Sequence, residues 1–145
     1  MAYFRSGTGG GGGSEIETIL WINPDPTSNF RTQTVSLSQP YTNYDILRFY
    51  YKERENVTDE QWVEYRKEDI AKWRYYGQTP PSGEVRTMGA ICGYYRNQSA
   101  SYARQIQKQS ESTTVDFNIS QAYKLNTAGV GYLFLMPTKI TGIIR

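Results

Sequence analysis

Short runs of β-branched and aromatic residues, separated by turn-forming residues, fill most of the sequence. In several runs apolar and polar residues alternate, as in a strand that is buried on one face only. Glycine, proline and asparagine clusters between the runs are typical of turns. Many short strands with turns between them predict an all-β fold: a single antiparallel β-sandwich or jelly-roll-like domain. The predicted strands cover 18–23, 31–38, 44–52, 85–95, 104–108, 112–120, 129–137 and 138–145.

The clearest strand patterns also predict which side chains face the core. Val35 and Leu37 share one face of their strand, and so do Val115, Phe117 and Ile119 of a later one. The strand at 44–52 ends with apolar residues on both faces, which predicts a central strand rather than an edge. Two glycines within 85–95 indicate a bulge or a close backbone approach.

The segment 52–74 fits two different structures. Thr58-Asp-Glu-Gln61 matches the capping box that begins many helices. A strand would instead place Val63, Tyr65, Lys67 and Asp69 on one face. We favour a strand pair with a helical turn, because the rest of the chain is β-like. Acidic and basic residues alternate here, which is typical of a solvated face.

The N-terminus has a composition of its own. Glycine occupies every position from Gly9 to Gly13, and Tyr3 and Phe4 precede this run. Glycine is costly to order because it loses the most backbone freedom on folding. Two apolar anchors followed by a glycine spacer predict a Gly-rich docking arm at 1–14 and one β-sandwich domain at 15–145.

The composition argues against several classes of function. The 145 residues include no histidine and one cysteine, which excludes Ser-His-Asp and Cys-His nucleophiles and the common imidazole metal sites. We therefore predict no enzyme activity, no catalytic or metal-ligating residues and no cofactor, and we interpret Cys92 as a buried structural thiol. Sixteen basic and 14 acidic residues leave a net charge of +2, too balanced to indicate nucleic acid. No apolar run could span a bilayer, so no membrane insertion is expected.

Aromatic residues are the compositional outlier, with 13 Tyr, five Phe and three Trp. Such side chains are enriched both in sheets and at interfaces, so core and binding roles stay open. Adjacent residues of a strand point to opposite faces, so each aromatic pair offers one ring to the core and one outward. The candidate interface or ligand aromatics are Tyr51, Trp73, Tyr76 and Tyr95.

Two phrases of the sequence resemble a known class of proteins. The first is Leu20-Trp21, Asn23-Pro24 and Phe30-Arg-Thr-Gln-Thr-Val-Ser-Leu37; the second is Met136-Pro-Thr-Lys-Ile-Thr-Gly-Ile143. Together they resemble the opening and closing phrases of C-terminal and minor structural domains in phage and prophage tail fibre, tail tip and head fibre proteins. The middle, about 52–110, carries no such resemblance.

This resemblance implies a structural role in a bacteriophage virion. The expected function is a receptor-binding tail fibre or tail tip component, a homotrimer that contacts other virion proteins and a host cell-surface glycan. It would be made in the cytoplasm of the bacterial host and anchored through its arm, with Tyr3 and Phe4 as anchors and Gly9, Gly10, Gly11, Gly12 and Gly13 allowing close packing. A capsid head fibre or decoration protein and a cell-wall carbohydrate-binding module are the alternatives.

Overall fold

A computed structural model of the chain describes residues 3–6, 15–53, 57–74, 82, 89–97, 100–109, 115–124, 130–131 and 134–145. For 3–6, 124 and 130–131 it describes the backbone alone. These residues form two antiparallel sheets, as the all-β prediction requires. The strands are β1 (Tyr3–Ser6), β2 (Ile16–Ile22), β3 (Gln33–Ser36), β4 (Ile46–Lys52), β5 (Gln61–Arg66), β6 (Ala90–Arg96), β7 (Ser101–Lys108), β8 (Asp116–Ile119), β9 (Ala122–Lys124), β10 (Val130–Gly131) and β11 (Met136–Ile144), with one short helix α1 (Lys67–Ala71).

The first sheet has five strands in the order β1-β5-β4-β11-β2. The strand β4 lies between β5 and β11, which confirms the prediction of a central strand. Its residues are buried on both faces up to Tyr51, because Leu47, Phe49 and Tyr51 point to the core while Arg48 and Tyr50 point the other way. The last strand, β11, was predicted at the C-terminal end of the sequence and pairs with both β4 and β2.

The second sheet has six strands. Five of them follow the order β10-β9-β7-β8-β3, and the sixth, β6, pairs with β7. The predicted inward faces are confirmed here: Val35, Phe117 and Ile119 are buried, and Val115 packs against the same core. Rings from both sheets meet edge to face, with Phe49 and Phe117 centroids 6.0 Å apart. Such contacts between facing sheets produce a β-sandwich core.

One buried cation helps to join the layers. Arg104 of β7 is fully buried and donates hydrogen bonds to the carbonyl oxygens of Phe30, Ser120 and Leu135, at 2.9, 2.9 and 2.8 Å. Burial lowers the pKa of Arg104 to about 10, because desolvation disfavours the charged form. These three carbonyl groups lie outside the strands, and Arg104 supplies a hydrogen-bond donor for them inside the protein.

The segment after residue 57 is a strand followed by one turn of helix. The capping-box hypothesis for Thr58–Gln61 is wrong: Gln61 begins β5, and α1 begins at Lys67 with no side-chain cap. The predicted helical turn is present, but the segment contributes one strand, which pairs with β4, rather than the predicted strand pair. The solvated-face interpretation fails at Glu64, which is 5% exposed and lies beside Arg48. Pairing with β4 on one side and β1 on the other overrides the helical start signal.

Glycine marks an irregular stretch of β6, as the sequence predicted. The register against β7 shifts between Ile91 and Gly93, which is a bulge at Cys92. Gly89 just before the strand has a φ of 139°, and a Cβ there would lie 2.2 Å from the Ile106 carbonyl oxygen. A side chain at position 89 would thus be both strained and blocked.

Candidate functional site: an apolar sheet edge and an amide-lined groove

The two phrases that carry the sequence resemblance lie side by side. β2 and β11 are antiparallel neighbours, with Trp21 opposite Ile140. At the end of β2, Asn23 is buried and binds β11 twice: its Nδ2 donates to the Pro137 carbonyl at 2.8 Å, and its backbone N–H donates to the Thr138 carbonyl at 2.9 Å. Segments more than 110 residues apart thus form one structural unit.

A bulge in this pair changes which residues of β2 face outward. The register shifts so that Ile19 lies opposite Thr141 and Ile22 lies opposite Lys139, with Leu20 as the extra residue. On the outer face, away from the core, Lys139 lies over the Tyr50 ring and Thr141 donates a hydrogen bond to Glu17. Ile19 and Ile22 therefore share that face although they are three residues apart.

β2 is the last strand of its sheet, and its isoleucines are exposed. We call Ile16, Ile19 and Ile22 of β2 and Ile144 of β11 the apolar edge; they are 60%, 51%, 56% and 43% exposed. Ile16 and Ile144 are cross-strand partners. Proteins usually protect edge strands with charge or proline, so a long apolar edge marks an interaction surface. One point of its backbone is occupied, since Ser38 N–H donates to the Leu20 carbonyl.

Charged residues hold the edge strand against the sheet. We call Glu15, Glu17, Arg48, Glu64 and Arg145 the ion-pair network. Arg48 Nε donates to Glu64 at 2.8 Å, and its other nitrogens lie 3.2 Å from Glu15 and 3.6 Å from Glu17. Arg145 contacts Glu15 at 3.0 Å and Glu64 at 3.3 Å. The network connects β2 and β11 with the sheet centre, so it fixes the apolar edge in place.

The network shifts the titration of its members. Partial burial raises the pKa of Glu15, but the hydrogen bond from Arg145 and the charges of Arg48 and Arg145 outweigh it, so the net pKa is lowered. Burial and the neighbouring Glu17 carboxylate raise the pKa of Tyr50 to about 12, so its phenol stays neutral and donates to Glu17. The Glu15 carboxyl is thus held in its charged form, and the Tyr50 phenol beside the network in its neutral form.

The second sheet carries a groove of a different chemistry. We call it the amide groove; it has a volume of about 430 Å³ and crosses β6, β7 and β8. The polar side chains among its described lining residues are neutral: Gln105, Gln107, Asn118 and Ser120. Amides and hydroxyls both donate and accept hydrogen bonds, which suits the hydroxyl groups of a sugar. The chemistry that this groove supports is uncharged hydrogen bonding.

Two of the predicted aromatic residues lie in the core. Tyr51 and Trp73 are 1% and 3% exposed and belong to the core, so their rings are not available to an external ligand. Tyr51 donates to the Tyr94 carbonyl at 3.2 Å, and Trp73 packs on Tyr65 at 5.2 Å. Strand pairing on both sides of β4 buries Tyr51, and packing on Tyr65 and Phe117 buries Trp73.

Tyr95 differs from those two residues. It is half-buried, and its ring lies 6.1 Å from both Tyr102 and Phe134. Tyr102 and Phe134 stack in parallel at 4.5 Å. Tyr76 lies outside the described residues.

The structure describes part of the predicted docking arm. Gly9–Gly13 lie outside the described residues. Tyr3 and Phe4 belong to β1, which pairs with β5 so that Phe4 faces Val63 and Ser6 faces Gln61. The predicted anchors thus lie on a sheet edge of the same chain.

Sequence reasoning did not identify the apolar edge, the ion-pair network or the amide groove. The isoleucines at positions 16, 19 and 22 repeat every three residues, which is not a strand period, and a bulge places Ile19 and Ile22 on one face. The members of the ion-pair network come from four separate segments, so no local motif connects them.

In the described part of the chain, no group of three or more His, Cys, Asp or Glu residues could hold a metal ion, and no helix has the length and apolar character to cross a membrane. No protein-family model matches the sequence, and no curated protein matches it.

Proposed function

We propose that this chain is a non-enzymatic structural protein of a bacteriophage virion, most consistent with a receptor-binding tail fibre or tail tip component. The observation that carries the proposal is the pairing of β2 with β11 through Asn23, Pro137 and Thr138. The two phrases that resemble phage structural domains are thereby a single packed unit, as the two end segments of one module would be. A capsid head fibre or decoration protein would use the same unit.

The apolar edge supports a role in assembly. Burying an isoleucine side chain contributes about 1.5–3 kcal/mol, so Ile19 and Ile22 on the outer face, with Ile16 and Ile144 on the opposite face, favour contact of this edge with another protein. We expect other virion proteins to cover this edge. The localisation that follows is the virion, after synthesis in the bacterial host, with the homotrimer as the expected oligomer.

The test is to label intact virions with an antibody raised against this domain. Label at the tail tip supports the adsorption role, and label over the head supports the decoration role. Absence of label from purified particles would overturn the virion proposal.

A variant pair then tests the edge itself. Ile19→Lys with Ile22→Lys places two charges on the apolar edge, and we expect incorporation into particles to fall at least tenfold. Gln33→Lys with Thr34→Lys changes two exposed residues of β3 and should leave incorporation unchanged.

A second candidate function rests on the amide groove. Its uncharged donors and acceptors favour recognition of a glycan on the host surface or in the cell wall. Gln105→Ala with Asn118→Ala should reduce binding to purified wall glycan, whereas Gln33→Ala, outside the groove, should not. Equal binding by both variants would remove this candidate.

A further inference from the structure

The position of β1 poses a topological question. β1 and β2 are consecutive strands, but they occupy opposite edges of the five-stranded sheet. Four strand spacings of about 4.8 Å separate them, roughly 19 Å. The intervening residues 7–15 could extend to roughly 30 Å, so they can connect the two edges of one sheet or of two neighbouring copies.

The acceptor strand β5 has the burial of an internal strand. Trp62, Val63, Glu64 and Tyr65 are successive residues, and all are at most 6% exposed. A strand buried on both faces and left without a neighbour presents a row of unpaired N–H and C=O groups. β5 therefore requires a strand along this edge, whichever copy supplies it.

Among the described strands, β1 pairs with β5 alone, over the four positions from Tyr3–Glu64 to Ser6–Gln61. The sequence that follows it contains five consecutive glycines, the residue type with the highest entropic cost of fixing one backbone path. Exchange of such a strand between identical copies preserves every ladder contact, which makes it a low-cost route to oligomers.

We propose that β5 is a strand-acceptor site that is filled, in the assembled state, by β1 of a second copy of this chain. Each copy donates residues 3–6 to the next, so that the exchange closes a ring. A second copy fits this site because it carries the same four residues, Tyr3 to Ser6, that pair with β5 within the chain. The proposal rests on the proposed function only for its biological role, since its test needs the purified chain alone.

Facing cysteines test the exchange directly. Ser6 and Gln61 are cross-strand partners at the end of the ladder. Full-length Ser6→Cys chains and full-length, size-tagged Gln61→Cys chains would be co-expressed, oxidised and separated on a non-reducing gel. We expect a covalent dimer of the two different chains, at least tenfold more abundant than dimers from either variant alone. The buried Cys92, present in every sample, provides the common background.

The chain with both substitutions gives the opposing outcome. Exchange yields covalent dimers and trimers, whereas pairing within one chain yields only an internally linked monomer. A linked monomer, together with no mixed dimer in the co-expression, would overturn the proposal.

Proline substitution keeps the test decisive if the cysteine variants fold poorly. Alternate N–H groups of a strand point to its partner strand. Phe4→Pro with Arg5→Pro therefore removes one N–H donor from the ladder, whichever of the two positions points to β5. Light scattering should show at least a tenfold loss of oligomer, while Phe4→Val with Arg5→Val should retain it. A wild-type chain that is monomeric at high concentration would refute the exchange, and virion labelling would remain a separate test of the proposed function.

Discussion

The Asn23 side chain donates a hydrogen bond of 2.8 Å to the Pro137 carbonyl oxygen, across 114 positions of sequence. Its Oδ1 accepts from the Asp25 backbone N–H at 2.9 Å, and so starts the turn that follows β2. Proline at position 137 has no N–H and interrupts the ladder of β11, where the register against β4 also shifts. Asn23 thus compensates for an irregularity that the proline creates.

Asn23→Ala should destabilise the fold by about 1–3 kcal/mol, because it leaves the buried Pro137 carbonyl without this donor. Urea unfolding followed by tryptophan fluorescence measures the change. Asn43→Ala removes an exposed asparagine and should shift the free energy of unfolding by less than about 0.5 kcal/mol. Equal losses in the two variants would contradict the role given to Asn23.

Glu15→Gln should reveal the contribution of the ion-pair network through its pH dependence. The folded-state pKa of Glu15 is below its ordinary value of 4.5, so its charge stabilises the fold above that pH and the contribution is lost as pH falls through the folded pKa. We expect the wild type to be more stable than the variant at pH 7 and the difference to shrink by pH 3. The exposed Glu68→Gln variant should show no such convergence.

Gly142→Ala should be poorly tolerated because of one neighbouring ring. A Cβ at position 142 would lie 2.4 Å from the nearest atom of the buried Tyr44 ring. Overpacking of this kind costs about 1–3 kcal/mol. If the ring is the cause, Tyr44→Ala should relieve part of the loss, so the double variant should be more stable than the sum of the single changes predicts. Strict additivity in thermal unfolding would point to a different cause.

The sequence predicted the architecture because its strand patterns are local. Val35, Phe117 and Ile119 alternate with polar residues, and that alternation alone places them in the core. The central position of β4 followed from apolar residues on both faces.

The candidate sites could not be predicted in the same way. The partners of Arg48 lie 16 to 33 positions away, and the exposure of Ile19 depends on a bulge in β2. The sequence predicts Tyr51 and Trp73 as binding residues because it does not show whether an aromatic side chain lies in the core or on the surface. Tertiary pairing decides that choice, and no local pattern encodes it.

Arg104→Leu should destabilise the sandwich by at least about 3 kcal/mol, because four backbone carbonyls lose a charged donor in a buried site. Arg66→Leu is the matched control: Arg66 is exposed, its ion pair with Asp69 spans 3.7 Å, and the expected change is within about 0.5 kcal/mol. Denaturant midpoints of the two variants give the comparison. A small effect at Arg104 would show that water can replace its hydrogen bonds.

Cys92 should react with thiol reagents only when the protein opens. It is 4% exposed, and burial raises its pKa to about 12, so almost no thiolate is present at pH 8. We expect its modification by a chromogenic disulfide to be at least a hundredfold slower than that of an unfolded chain, and to become immediate in denaturant. A Ser36→Cys chain adds an exposed thiol on β3 as an internal control, and it should show one fast and one slow phase. Two fast phases would mean that the bulge of β6 opens readily and that the core beneath it is accessible to solvent.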